Sequence, residues 1–252
     1  MRTISRGTAS ATLSSQEVKH PQKRFYRSRA HSNPLNDTHF KVPAMPAEVE
    51  WPRLFPDFCK AEAPSEINSE VRFADVGCGF GGLLVRLSPL YPDTLMLGME
   101  LRDKVADYVR ERIDALRQEH QGKYTNISCV RTNTQKYLPH YFRKGQLTKM
   151  FFLFPDPHFK TANHRRRIIS DTLLADYAYL LAPGGMLYTI TDVEELGQWM
   201  ATRLDRHPSF QRLSEEELAA DKAAGVLTSA TEEGQKVARN EGQTWRAVYR
   251  RL

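Results

Sequence analysis

The chain has 252 residues, 40% of them hydrophobic and 26% charged, a mix that suits one folded domain with a sizeable core. No apolar run approaches the roughly 20 residues of a membrane-spanning helix, and the three scattered cysteines, Cys59, Cys78 and Cys129, fit neither a disulfide frame nor a zinc site. The net charge of +6 is concentrated in residues 1–44, where eight Lys and Arg face only Glu17 and Asp37; a neutral body with a basic arm suits a polyanionic partner.

Residues 1–44 are expected to be a basic, largely disordered arm, and residues 45–252 the folded domain. The first 16 residues, with Arg2, Arg6 and many Ser and Thr, loosely imitate a transit peptide but carry too few apolar residues for an amphipathic face. Pro43, Pro46, Pro52 and Pro56 then punctuate an entry segment whose Trp51, Leu54, Phe55 and Phe58 are candidates to dock on the core. From there strand and helix patterns alternate. Strands are expected at Val71–Val76, Thr94–Met99, Ile127–Val130, Met150–Phe154, Met186–Thr191, Phe210–Leu213 and Trp245–Arg250. Helices are expected at Gly81–Leu90, Arg102–Glu119, Ile168–Leu181 and Val193–Arg206, with a turn at Pro183-Gly184-Gly185. This alternation predicts an α/β fold, a mostly parallel seven-stranded sheet with helices on both faces.

Asp75-Val76-Gly77-Cys78-Gly79-Phe80-Gly81-Gly82 falls where the first strand turns into the first helix. Glycines there let the backbone approach a ligand, and Glu100 closes the second strand where an acid accepts hydrogen bonds from a ribose diol. Gly77, Gly79 and Gly82 also satisfy a dinucleotide fingerprint, so the glycines alone leave an NAD-dependent oxidoreductase open. Asp75 two residues before the first glycine, Asn133-Thr134 after the third strand and Phe154-Pro155-Asp156-Pro157 after the fourth favour S-adenosylmethionine. The last of these resembles the proline-rich loops of enzymes that methylate base nitrogens.

Beyond that loop, His158 to Arg167 is rich in cations, and Lys19 to Arg29 interleaves Lys23, Arg24, Arg27 and Arg29 with Phe25 and Tyr26. Cations hold phosphates and aromatics stack on bases, so Arg24, Arg27, Lys136, Lys160, Arg165 and Arg167 are the candidate RNA-backbone contacts. The arm also reads as a nuclear-import signal, giving the nucleus, with a cytoplasmic pool, as the expected location. His158 and His164 lack a third ligand at sensible spacing, so no metal is expected.

With these residues in view, the chain resembles the eukaryotic tRNA (guanine-N7)-methyltransferases, the catalytic subunits that work with a WD-repeat partner. The resemblance runs from about Gln22 to the end of the sequence. It is carried by the runs Arg29–Pro34, Gly145–Lys160, Tyr188–Val193 and Thr228–Gly234. It implies a Rossmann-like class I methyltransferase fold and cofactor contacts at Gly77, Glu100, Arg102, Asn133, Thr134, Leu153, Thr231 and Glu233. Asp156 matches the catalytic acid, while Asp192, Thr231 and Glu233 match residues near the substrate guanine. Ala230-Thr231 and Thr134 are departures from the common pattern. The resemblance implies tRNA position 46 in the variable loop as the target, with mRNA or microRNA guanines as additional candidates, and Ser32, in Arg27-x-Arg29-x-x-Ser32, as a phosphorylation site.

Guanine N7 has a lone pair and no proton, so its methylation needs in-line positioning more than a strong base. The product base is cationic, and a carboxylate at Asp156 would orient the purine and stabilise that charge. Two rivals stand beside this reading. An oxidoreductase would bind NAD and ignore S-adenosylhomocysteine; a non-enzymatic RNA-binding scaffold would have no physical need for Asp75, Glu100, Asp156 and Asp192.

Overall fold

The computed structural model describes residues 18–28, 33–35, 40–61, 63, 66–240 and 242–252. Its strands are β1 (Val71–Val76), β2 (Leu95–Glu100), β3 (Ile127–Arg131), β4 (Leu147–Leu153), β5 (Leu181–Thr191), β6 (Phe210–Arg212) and β7 (Trp245–Arg251). Its helices are α1 (Trp51–Leu54), α2 (Gly82–Leu87), α3 (Asp103–Glu119), α4 (Thr134–Tyr137), α5 (Asp171–Leu180), α6 (Glu194–Arg206), α7 (Glu215–Ala220), α8 (Leu227–Ala230) and α9 (Glu232–Arg239).

The near-continuous apolar runs of β1, β2 and β4 need cover on both faces, and they lie together inside one seven-stranded sheet of order β3-β2-β1-β4-β5-β7-β6. The first five strands pair in parallel, and β7 runs antiparallel to both β5 and β6. Met150, Phe152 and Leu187 belong to a core cluster with Leu174, Tyr177 and Met200 of α5 and α6. Phe151, Leu153, Tyr188 and Ile190, offset by one along their strands, join Leu83, Val109, Leu218 and Leu227 on the other face. Each such buried side chain contributes roughly 1.5–3 kcal/mol. In the entry segment, Leu54 and Phe55 are buried, and Trp51 packs against Phe55 and Phe142 with ring centroids 6.3 Å from each.

The structure departs from the sequence expectation in several details. β4 starts at Leu147 and ends at Leu153, and Phe154 leaves it with φ 49°. The Pro183-Gly184-Gly185 turn lies inside β5 as an irregularity, where pairing jumps from Leu147–Leu181 to Lys149–Met186. Helices α7 to α9 fill the stretch between β6 and β7, where no element was expected. Their local signal is the capping box of Ser214 and Glu217, each side chain bonded to the other residue's backbone N–H.

Candidate functional site

The strand order turns back between β1 and β4, the place where an open parallel sheet forms a crevice at its carboxyl ends. The carboxyl ends of β2, β1, β4 and β5 bring Glu100, Asp75 with the glycine loop, Leu153 with Phe154, and Asp192 to that edge. Gly77, at φ 75°, gives the loop its reversal, and its N–H bonds the Met99 carbonyl at 2.8 Å. An ideal Cβ at Gly77 or Gly79 would meet nothing within 4 Å, so both positions border open space.

Glu100 is buried, yet both of its oxygens have donors. Oε2 accepts from the Gly79 N–H at 3.1 Å and Arg102 Nη2 at 3.0 Å, and Oε1 accepts from the Arg102 N–H at 2.9 Å and its Nε at 3.0 Å. Burial works against the Arg102 charge, but the bonds and charge of Glu100, with Glu233 beyond, outweigh it and raise the guanidinium pKa. Asp75 is 4% exposed and its Oδ2 has no hydrogen-bond partner. Burial first, and the charge of Glu100 second, push its pKa up to about 8. Thr132, just past β3, is buried as well. Buried polar atoms are almost always bonded, so the open Asp75 Oδ2 marks a place built for a polar ligand.

Asn133, beside Thr132, is committed to the protein itself. Its Oδ1 caps α4 through the Gln135 N–H at 3.1 Å, and its Nδ2 donates to the Pro34 carbonyl at 2.6 Å. Thr134, the first residue of α4, is half-buried next to it. The segment around Pro34 therefore reaches the same crevice. Ser32 lies outside the described residues.

The loop after β4 is held in an uncommon conformation. Phe154 and His158, both non-glycine residues, sit at φ 49° and 46° on either side of Asp156. Such backbone costs on the order of 1–3 kcal/mol per residue and persists only when its surroundings fix it. They do so here through the Phe154 N–H bonded to the Ile190 carbonyl at 2.8 Å and Arg167 Nε bonded to the Pro157 carbonyl at 2.9 Å. Asp156 is partly exposed, and its Oδ2 lies 3.8 Å from His158 Nδ1.

Arg167 corrects an expectation. It is 1% exposed, its two terminal nitrogens grip Glu195 at 2.9 and 2.6 Å, and its guanidinium lies 4.5 Å from the Trp199 ring centroid. It braces the loop from inside and cannot present itself to a polyanion. Lys160, Arg165, Arg24 and Arg27 are exposed, and Lys136 is half-buried. Phe159, passed over in the sequence, is 73% exposed between His158 and Lys160, a costly place for a phenyl ring on a solvated loop. The signal available was an aromatic inside a basic run. On the arm, Phe25 is exposed beneath Arg24, while Tyr26 bonds Glu111 of α3.

The segment from α7 to α9 closes the crevice from the side of the glycine loop. An ideal Cβ on Gly82 would lie 2.2 Å from the Ala230 carbonyl oxygen, so α8 seats directly on the start of α2. Thr231 follows as the N-cap of α9, its Oγ1 accepting from the Gly234 N–H at 3.0 Å, and Glu233 is exposed. Gly82→Ala is expected to destabilise the fold by about 1–3 kcal/mol, the usual range for overpacking. It should also speed proteolysis within residues 227–239; cleavage and melting unchanged from the parent chain would mean that α8 does not rest on Gly82.

Comparison with known proteins agrees with this geometry. Residues 69–247 match the family described as "Putative methyltransferase". The chain is 62% identical to a tRNA (guanine-N(7)-)-methyltransferase of Arabidopsis thaliana over 243 residues, covering 96% of each chain. It is 57% identical to a protein of the same description from Brugia malayi, covering 92% of this chain and 87% of that one. It is 53% identical to tRNA (guanine-N(7)-)-methyltransferase A of Xenopus tropicalis, covering 93% and 90%.

Proposed function

The chain belongs to the tRNA (guanine-N(7)-)-methyltransferase family, and on that premise we propose that it transfers a methyl group from S-adenosylmethionine to N7 of a guanine in tRNA, forming 7-methylguanosine. The observation that carries this reading is the gathering of Asp75, Glu100 and the Asp156 loop at the carboxyl ends of β1, β2 and β4. Family membership removes the oxidoreductase and scaffold readings.

The residues present suit the cofactor. The unpartnered Asp75 Oδ2 and the open space beside Gly77 and Gly79 are a cradle for a polar and cationic group. In the proposed assignment Asp75 faces the amino-acid end, Glu100 with Arg102 holds the ribose diol, and Asn133 and Thr134 flank the adenine. Leu153, Thr231 and Glu233 complete the enclosure. Bound S-adenosylmethionine supplies a methyl group on a positively charged sulfur. The protein's part is to fix the purine so that its N7 lone pair points at that methyl. Asp156 accepts hydrogen bonds from the guanine N1–H and exocyclic amine and faces the positive charge that develops on the base. Asp192, Thr231 and Glu233 border the base. Exposed Lys160, Arg165, Arg24 and Arg27, with Lys136, meet phosphates, and Phe159 stacks on a neighbouring base.

Position 46 of the variable loop as the target guanine, a WD-repeat subunit as partner and a nuclear location belong to the same proposal and rest on the resemblance and the basic arm. The deciding assay is transfer of labelled methyl from S-adenosylmethionine to bulk tRNA, with and without a WD-repeat subunit, followed by nucleoside analysis. Labelled 7-methylguanosine is the expected product. Label in another nucleoside, or none despite measurable S-adenosylhomocysteine binding, would overturn the assignment.

Asp75 makes a further prediction for the unliganded protein. Its folded pKa is raised to about 8 while the unfolded chain ionises near the ordinary carboxylate value of 3.8. Between those values the folded state holds the extra proton, so this group's contribution to stability declines as pH rises from 4 to 8. Asp75→Asn, which mimics the protonated form, is expected to melt higher than the parent chain at pH 8, with the gap closing toward pH 5. Parallel melting curves across that range would refute a buried, protonated Asp75.

A further inference from the structure

Helices α7 to α9 carry Thr231 and Glu233, and something must set where they lie against the glycine loop. Their apolar contacts, made through Leu218, Ala223, Ala224 and Leu227, supply adhesion that tolerates sliding. At the surface, Glu217 and Glu215 of α7 reach Arg250 and Arg246 of β7, but among the described residues of the segment the buried charge is that of Asp221. Asp221, directly after α7, has a side chain only 8% exposed. Its Oδ1 and Oδ2 lie 3.1 and 3.3 Å from Lys149 Nζ of β4, its Oδ1 also accepts the Ala223 N–H at 3.1 Å, and its Oδ2 accepts from the Tyr188 hydroxyl of β5.

Lys149 is unusual for a strand inside a sheet. Its side chain is 12% exposed, its Nζ lies 4.9 Å from the Tyr188 ring centroid and 5.9 Å from that of Phe73, and it donates to the Tyr188 hydroxyl. Burial lowers its pKa against the opposing pull of Asp221. A cation and an anion this deep offset each other only in one geometry, which is what a sliding apolar contact lacks. Nine residues beyond Asp221, the Ala230 carbonyl seats on Gly82, and Thr231 caps α9.

We propose that Lys149, Asp221 and Tyr188 form a latch that fixes the register of residues 221–239 against the glycine loop and thereby sets affinity for S-adenosylmethionine. The three are positioning residues, which act through Ala230, Thr231 and Glu233. The proposal rests on the methyltransferase reading above. It assigns the buried charges of β4 and the segment after α7 a task in cofactor binding, in addition to holding the fold.

The test measures S-adenosylhomocysteine binding by calorimetry on the full chain, together with kcat and the KM for S-adenosylmethionine on tRNA. Asp221→Asn is expected to weaken binding and raise KM by about tenfold, within the usual range of couplings between sites, with kcat at saturating cofactor within about twofold of the parent. Phe152→Leu, in the core cluster on the other face of the sheet, serves as the control: it should lower the melting temperature and leave cofactor binding alone. If Asp221→Asn does not fold, Tyr188→Phe keeps its ring stacked 4.6 Å from Phe151 and deletes only the hydroxyl; about threefold weaker binding is expected. Unchanged binding in the latch variants, or an equal loss in Phe152→Leu, overturns the latch. A parent chain that binds no S-adenosylhomocysteine would instead overturn the methyltransferase reading, so the two failures are distinct.

Discussion

Asp156→Asn is expected to lower the rate of methyl transfer to tRNA by about 100-fold, the scale of removing one well-placed electrostatic group from an active site. The substitution keeps the size and planarity of the side chain and removes its charge. The loop around it should persist: the Phe154 N–H bond to Ile190 and Arg167 on the Pro157 carbonyl do not use the carboxylate, and the His158 N–H, 3.5 Å from Asp156 Oδ1, can bond the amide oxygen of asparagine instead. S-adenosylhomocysteine binding should therefore stay within about twofold of the parent, and the loss should appear in single-turnover rates. Turnover close to that of the parent would mean that Asp156 holds the loop and does not act on the base.

Glu100→Ala should act on the other side of the reaction. Its carboxylate receives four donors, from Gly79 and Arg102, and in the proposed assignment it holds the ribose diol. Hydrogen bonds to a charged group contribute about 1.5–3 kcal/mol each, so losing those to a diol weakens cofactor binding by at least about 100-fold. Arg102, half-buried and left beside Glu233 alone, would also lose its fixed position. Calorimetric titration with S-adenosylhomocysteine reads this directly. Binding unchanged by the substitution would place the ribose elsewhere.

The strands were legible because a strand covered on both faces must be apolar nearly throughout, as Met150 to Leu153 are, and because glycines mark the turn after β1. The acids at strand ends were legible for the same reason: the fold decides where a strand ends, and Asp75 and Glu100 follow. Arg167 was not, since a run of arginines looks alike in sequence. What turns this one inward is Glu195 and Trp199, about thirty residues later on α6. Nor could the sequence show that Asn133 would spend its amide on Pro34, about a hundred residues away in the chain. Helices α7 to α9 escaped because they have only six, four and eight residues, too few turns for a helical period to stand out even where α9 is amphipathic; their place comes from contacts with Gly82 and Lys149.

The seat of Ala230 on Gly82 also bears on the order in which the protein is made. The glycine loop leaves the ribosome about 150 residues before the carbonyl that rests on it, and so distant a contact forms late. A nascent chain therefore has strands β1 to β5 before it has a closed cofactor site. A ligand at 100 times its Kd adds about 2.7 kcal/mol to the stability of a chain that binds it, and nothing to one that does not. In the cell, S-adenosylmethionine then favours finished chains over unfinished ones.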